Sequence, residues 1–234
     1  MRKLVAITLL ALLAITTANA ATITETEAIG PSIPTFGQTL NFNQFDTSLG
    51  TLTSIEVILI LNSDGGSLTL DNDGVDPASG NFDFGSEGDI SSSDVTLLNA
   101  AFSPVTATAN AYHTGAFSLA GNVGDGSGDY DPTGPDGMLY TGSLVTDTQS
   151  DFIGSTFWGS GTVGFLGTGT YDIEFDATQV SNFGGIGGIE YAVTPMTAYG
   201  SLEIIYTYDP IPEPTTIALL SAGVFGLLRK RKTA

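Results

Sequence analysis

The feature that most constrains this chain is the separation of its charges. All six Lys and Arg residues lie at the two ends, at positions 2–3 and 229–232. All 25 Asp and Glu residues lie between Leu4 and Leu228. This stretch therefore carries a formal charge of −25 and has no lysine or arginine for a salt bridge. Nucleic-acid binding needs Lys or Arg beside the phosphates, so the sequence excludes it for this stretch.

The start of the chain predicts a secretory signal peptide over residues 1–20. Arg2 and Lys3 precede an apolar run over residues 4–15, and Ala18-Asn19-Ala20 has the small-residue pattern that signal peptidase cuts after. We expect a signal helix that is removed after Ala20. The absence of cysteine fits an exported protein whose core is not cross-linked by disulfides.

Residues 21–210 predict one all-β domain. The apolar fraction of 41% is too high for a disordered chain despite the charge. Residues 51–61 predict a central strand covered on both faces, and residues 199–208 alternate with Leu202, Ile204 and Tyr206 on one face. Asn, Asp and Gly clusters separate the runs, which favours an antiparallel β-sandwich of jelly-roll type. Further strands are predicted at 22–29, 38–45, 67–71, 95–101, 105–112, 115–120, 138–145, 151–157, 161–175 and 190–199.

Residues 211–234 predict a second targeting segment. The uncharged run over residues 215–228 would measure about 21 Å as a short hydrophobic helix, against about 30 Å for a bilayer core. We expect this helix to anchor the chain in the membrane only transiently, leaving the β-domain outside the inner membrane. By the positive-inside rule, a basic cluster stays on the cytoplasmic side; it comprises Arg229, Lys230, Arg231 and Lys232.

The order of these elements resembles the PEP-CTERM sorting signal of Gram-negative bacteria. A Pro-Glu-Pro tripeptide, a short apolar helix and a terminal Arg/Lys cluster follow one another at the chain end. The resemblance implies that Pro212, Glu213 and Pro214 are recognised by an exosortase, a membrane-embedded processing enzyme that removes the tail. It also implies an exported surface or matrix protein that accompanies exopolysaccharide production and biofilm formation.

A second resemblance concerns the β-rich body. Residues 40–52, Leu-Asn-Phe-Asn-Gln-Phe-Asp-Thr-Ser-Leu-Gly-Thr-Leu, are similar to the opening of a choice-of-anchor domain of type E. That group comprises bacterial surface domains with a β-rich body and various C-terminal anchors. The resemblance implies a β-sandwich without enzymatic activity.

The residue types favour a protein that is not an enzyme. A Ser-His or Cys-His nucleophile needs a histidine, and the single one, His113, lies in a stretch that reads as a strand end without a Gly-x-Ser-x-Gly nearby. A secreted glycoside hydrolase would need two carboxylates, but 25 acids produce such pairs by chance. Trp158 is the only tryptophan, and a surface that stacks against sugars usually has more.

Calcium is the cation that the sequence favours. Asp71, Asp73 and Asp76 lie in a Gly-containing turn and offer the oxygen ligands that Ca²⁺ prefers, although the same residues are ordinary turn formers. Asp-rich residues 125–131, with Asp136 beyond, form a second cluster. A calcium-dependent carbohydrate-binding module is thus the alternative function. Because nothing neutralises the carboxylates, we expect the melting temperature to rise with NaCl and more steeply with CaCl2.

Overall fold

The structure, a computed structural model, describes residues 19–106, 108–124, 130–184 and 188–211. The predicted signal helix and the predicted C-terminal hydrophobic helix lie outside these ranges. Among the residues that the structure describes, no helix is long and apolar enough to cross a membrane.

The described chain is built from eleven strands and one short 3-10 helix, Ser155–Phe157, and these ranges contain no α-helix. This confirms the all-β prediction. The strands are β1 (Ala21–Ser32), β2 (Phe36–Asn43), β3 (Gly50–Asp64), β4 (Ser67–Asn72), β5 (Ala78–Ser91), β6 (Ala109–Leu119), β7 (Gly137–Thr141), β8 (Val145–Phe152), β9 (Thr170–Phe183), β10 (Ile189–Thr194) and β11 (Thr197–Pro210).

Eight of the strands form two four-stranded antiparallel sheets. One has the order β1-β11-β3-β8 and the other the order β2-β9-β5-β6. The pairs are nested along the chain: β1 pairs with β11, β2 with β9, β3 with β8 and β5 with β6. A long hairpin rolled around a core produces this nesting, so the order is compatible with the predicted jelly roll.

The remaining strands extend the first sheet beyond a bend. The third sheet has the order β10-β4-β7, and its members are chain neighbours of β11, β3 and β8. The chain passes from one sheet to the other at three places, and these lie side by side. On the third sheet, Thr194 and Thr141 both face Ser67; on the first sheet, Thr197 faces Asp64. Gly66 forms the bend on β3–β4 with a φ of 72°, a left-handed conformation that favours glycine.

We expect Gly66→Ala to destabilise the fold by roughly 1–2 kcal/mol, because alanine is strained in the left-handed region. The added Cβ would also lie 2.8 Å from the Thr194 carbonyl oxygen, which the β10–β4 ladder holds in place. Urea unfolding measures the loss. Gly159→Ala is the matched control, since a Cβ there meets nothing within 4 Å. Equal stability of the two variants would contradict this account of the bend.

The core lies between the sheets in two parts. The larger cluster is formed by the two four-stranded sheets and includes Ile55, Val57, Leu59 and Leu61 of β3. The smaller cluster lies between the third sheet and the ends of β5 and β6. Residues Ile58 and Ile60, on the outer side of β3, are only half-buried. The prediction of a central strand is therefore confirmed, but the prediction that both its faces are covered is wrong.

Two tyrosines form a polar contact inside the larger cluster. The Tyr206 hydroxyl donates to the Asn43 carbonyl oxygen at 2.9 Å and lies 2.7 Å from the Tyr171 hydroxyl, which is placed to donate to it. Burial raises the pKa of both tyrosines above the usual value of 10.0. The pair links β2, β9 and β11 across the sandwich and stays protonated at neutral pH.

Some strand predictions were wrong, for reasons that the structure makes clear. Residues 95–101 form a loop, because the Asn99 side chain accepts hydrogen bonds from the Ala101 and Ser103 amides and closes a tight turn. The predicted strands 105–112 and 115–120 are one strand, β6, which continues through Gly115. Strand β5 received no prediction, since its Gly, Asp and Ser content resembles a loop.

Candidate functional site

The third sheet ends in an acidic pole, which we define as residues 71–77, 120–124, 130–136 and 188. Asn72, at the end of β4, organises it. Its side-chain oxygen accepts from the Gly74 amide at 3.1 Å, and its side-chain nitrogen donates to the carbonyl oxygens of Asp76 at 2.9 Å and Ala120 at 2.5 Å. One buried amide thus ties the loop after β4 to the loop after β6.

Asp71 is the most unusual residue of the acidic pole. It lies on the central strand β4 and is 2% exposed. Its Oδ2 accepts a hydrogen bond from the Asp131 amide at 3.0 Å, but its Oδ1 has no hydrogen-bond partner within the described residues. Glu190 faces it directly on β10. A buried carboxylate that faces a like charge is electrostatically unfavourable.

Three further carboxylates lie in the same loops. Asp136 is 3% exposed, and its Oδ2 accepts from the Val123 amide at 2.5 Å. Asp73 accepts from the Asn122 side-chain amide at 3.2 Å. Asp131 is more open, and hydrogen bonds from the Thr133 hydroxyl and then from its amide hold the Asp131 pKa below the usual 3.8. The acidic pole thus brings carboxylates from several loops to one end of the third sheet.

The structure does not gather the predicted calcium ligands as the sequence grouped them. Asp71 is buried in the sheet, whereas Asp76 is exposed at the loop tip. Within the described ranges, no group of three or more His, Cys, Asp or Glu side chains is arranged to hold a metal ion. Asp125 and Asp129 of the second cluster lie outside those ranges. Calcium binding stays a prediction, and Glu190, which sequence reasoning missed, could be found only from the strand register.

His113 lies among aromatic rings. Its ring stacks on Tyr140 with centroids 4.9 Å apart and planes 9° apart, and it lies 6.0 Å from Phe82. It is exposed on β6, at the edge where β6 approaches β7. These contacts suit a residue that covers the smaller core cluster.

The exposed aromatic residues that the structure describes come from separate segments, and one of them, Tyr130, belongs to the acidic pole. Trp158 is half-buried, with its indole N–H donating to the Ile153 carbonyl oxygen at 3.2 Å. The exposed aromatic side chains that the structure describes lie on four separate segments: Phe102, Tyr130, Phe152 and Tyr191. An open depression at the bend is lined by Pro31, Asp64, Gly65, Thr197 and Tyr199, with one carboxylate.

The predicted processing sites flank the strands closely. Ala20 is exposed and immediately precedes β1, so a cut after it would leave the strand whole. Ala18 lies outside the described residues. The same holds for the sorting residues Pro212, Glu213 and Pro214 and for the basic cluster. Strand β11 ends at Pro210, immediately before them.

The tail matches a known sorting signal. Residues 210–232 match the PEP-CTERM protein-sorting motif. The motif indicates an exported protein that an exosortase sorts to the cell envelope. This confirms the resemblance of the tail to the PEP-CTERM signal. The resemblance of residues 40–52 to a choice-of-anchor domain stays a prediction.

Other comparisons found only distant similarity. No curated protein matches the chain. The chain is similar to a structure of infectious bursal disease virus Gx strain, with 12% identity over 84% of this chain and 38% of that chain and a TM-score of 0.20. The VP2 subviral particle of the same virus has 12% identity over 83% of this chain and 38% of that chain, with a TM-score of 0.19. Desmodium yellow mottle tymovirus has 9% identity over 83% of this chain and 91% of that chain, with a TM-score of 0.17. The chain thus spans well under half the length of the first two, and similarity at this level supports no inference.

Proposed function

We propose that this chain is a non-enzymatic cell-surface or extracellular-matrix protein. Signal peptidase releases residues 1–20, and the apolar segment over residues 215–228 then holds the chain in the inner membrane. An exosortase recognises Pro212, Glu213 and Pro214 and removes the tail. The β-domain, residues 21–210, goes to the cell surface or medium, where an exopolysaccharide of the biofilm is its partner.

The position of the motif relative to the fold is the observation that carries this proposal. Strand β11 lies between β1 and β3 and is the last strand of its sheet along the chain. Pro210 faces Gly50, and the Ile211 amide donates to the Leu49 carbonyl oxygen at 3.1 Å. Every strand that the structure describes therefore ends before Pro212, and a cut at Pro212–Pro214 would remove none of them.

Intact mass tests the processing step. We expect the mature protein to lack both ends in the wild type, and to retain its mass up to Ala234 in a strain without the exosortase. Glu213→Gln should reproduce the second result in the wild type, whereas Asp209→Asn, just outside the tripeptide, should be processed normally. Chains that end at Ala234 in both strains would contradict the proposal.

A calcium-dependent carbohydrate-binding module is the second candidate. The buried Asp71 carboxylate, with one oxygen lacking a hydrogen-bond partner within the described ranges, favours the calcium part of this function. The scattered exposed aromatic residues do not favour the carbohydrate part. Glycan binding that a chelator abolishes would establish this function in place of a purely structural role.

A further inference from the structure

The two ends of the domain emerge side by side. Ala21, the first residue of β1, faces Tyr208 near the end of β11. We call this end of the sandwich the terminal pole and define it as residues 19–21, 46–50 and 209–211. The predicted signal peptide and the sorting tail therefore attach at one pole.

The acidic pole lies at the opposite end of the sandwich, on the third sheet. Strand β3 starts at Gly50, in the terminal pole, and the chain continues through the bend into β4, which ends at Asn72 in the acidic pole. At about 3.3 Å per residue, this path is at most about 75 Å long. The two poles thus lie at opposite ends of the β3–β4 path.

The tail gives the terminal pole little freedom to move away from a membrane. Only residues 212–214 separate Ile211 from the apolar run, and three extended residues span about 10 Å. The Ile211 amide is bonded to Leu49, so the last described residue is fixed to the rim. The side chains of Leu49 and Ile211, 42% and 60% exposed, present apolar surface at this exit.

We infer that the anchored domain stands upright on the bilayer, with the terminal pole as its lipid-facing surface and the acidic pole as its presented end. This orientation rests on the proposed function, because it requires the tail to be in the membrane. It places Asp71 and the surrounding loops where soluble cations and matrix polymers meet the protein. The acidic pole carries five carboxylates and the terminal pole two, Asp46 and Asp209. The orientation therefore holds the more acidic end away from anionic lipid headgroups, which would repel it.

Single-cysteine probes test the orientation, since the chain has no cysteine of its own. Three exposed positions report on height above the membrane: Thr47→Cys at the terminal pole, Ser150→Cys on the outer face of β8, and Val75→Cys at the acidic pole. Each variant, purified with its tail from a strain without the exosortase, is labelled with a donor fluorophore. It is then added to phosphatidylcholine vesicles that carry a headgroup-labelled acceptor.

We expect energy transfer to be strongest from position 47, weaker from position 150 and lost at position 75. Equal transfer from the three positions, or the reverse order, in protein that floats with the vesicles would overturn the upright orientation alone. Protein that does not float with the vesicles would overturn the membrane step of the proposed function, and the orientation with it.

Discussion

Asp71→Asn is expected to raise the free energy of unfolding by about 1–3 kcal/mol in low salt without calcium, although it alters a buried residue. The asparagine oxygen can still accept the hydrogen bond from the Asp131 amide, and the buried charge opposite Glu190 is removed. The side-chain nitrogen takes the Oδ1 position, where no acceptor lies within the described residues, and we expect this cost to be smaller than the gain. Thermal unfolding at neutral pH, with a chelator and then with CaCl2, measures the effect.

Calcium should stabilise the Asp71→Asn variant less than it stabilises the wild type. If a cation compensates Asp71 in the native protein, CaCl2 stabilises the wild type more than the variant, and the difference between them shrinks or reverses. Asp76→Asn is the matched control, because Asp76 was predicted as a ligand with Asp71 but is exposed. A destabilised Asp71→Asn variant, or an equal loss of calcium response in both variants, would contradict this interpretation.

Tyr206→Phe is expected to lower the free energy of unfolding by about 2–3 kcal/mol. It removes the hydrogen bond to the Asn43 carbonyl oxygen and leaves the buried Tyr171 hydroxyl without its acceptor. Tyr171→Phe should be milder, about 1 kcal/mol, because Tyr206 keeps its bond to Asn43. Urea unfolding of the two variants measures the difference.

Tyr208→Phe serves as the control for this pair. Tyr208 is half-buried on the same strand and packs on Phe45 with ring centroids 5.2 Å apart, and its hydroxyl makes no hydrogen bond within the described residues. We expect it to change stability little. If Tyr171→Phe were as damaging as Tyr206→Phe, the assigned direction of donation between the two hydroxyls would be wrong.

The parts of the fold with strong local patterns were predictable. Strand β11 shows buried Leu202, Ile204 and Tyr206 in strict alternation, as its sequence indicates. Strand β3 was located correctly, but apolar composition could not tell a covered outer face from a half-buried one. Strand β5 was missed because its pairing with β6 and β9, rather than its own residue preferences, makes it a strand.

The candidate site was predictable only in part, since it depends on register. The sequence drew attention to Asp71, but grouped it with Asp73 and Asp76, its neighbours along the chain. In the structure, the Asp131 amide, about 60 residues further along the chain, donates to the Asp71 carboxylate. Glu190, about 120 residues further along, faces Asp71 across the sheet. Local spacing cannot report such distant pairings.

The adjacency of Ala21 and Tyr208 has a mechanical consequence. A force that pulls the two chain ends apart would open the β1–β11 pair as a zipper, breaking its hydrogen bonds one after another. A force applied between the tail and the acidic pole would instead load the strands along their length, so that many hydrogen bonds must shear together. A domain tethered at its carboxyl end and gripped at the far loops would therefore resist traction from the surrounding matrix in its stronger direction.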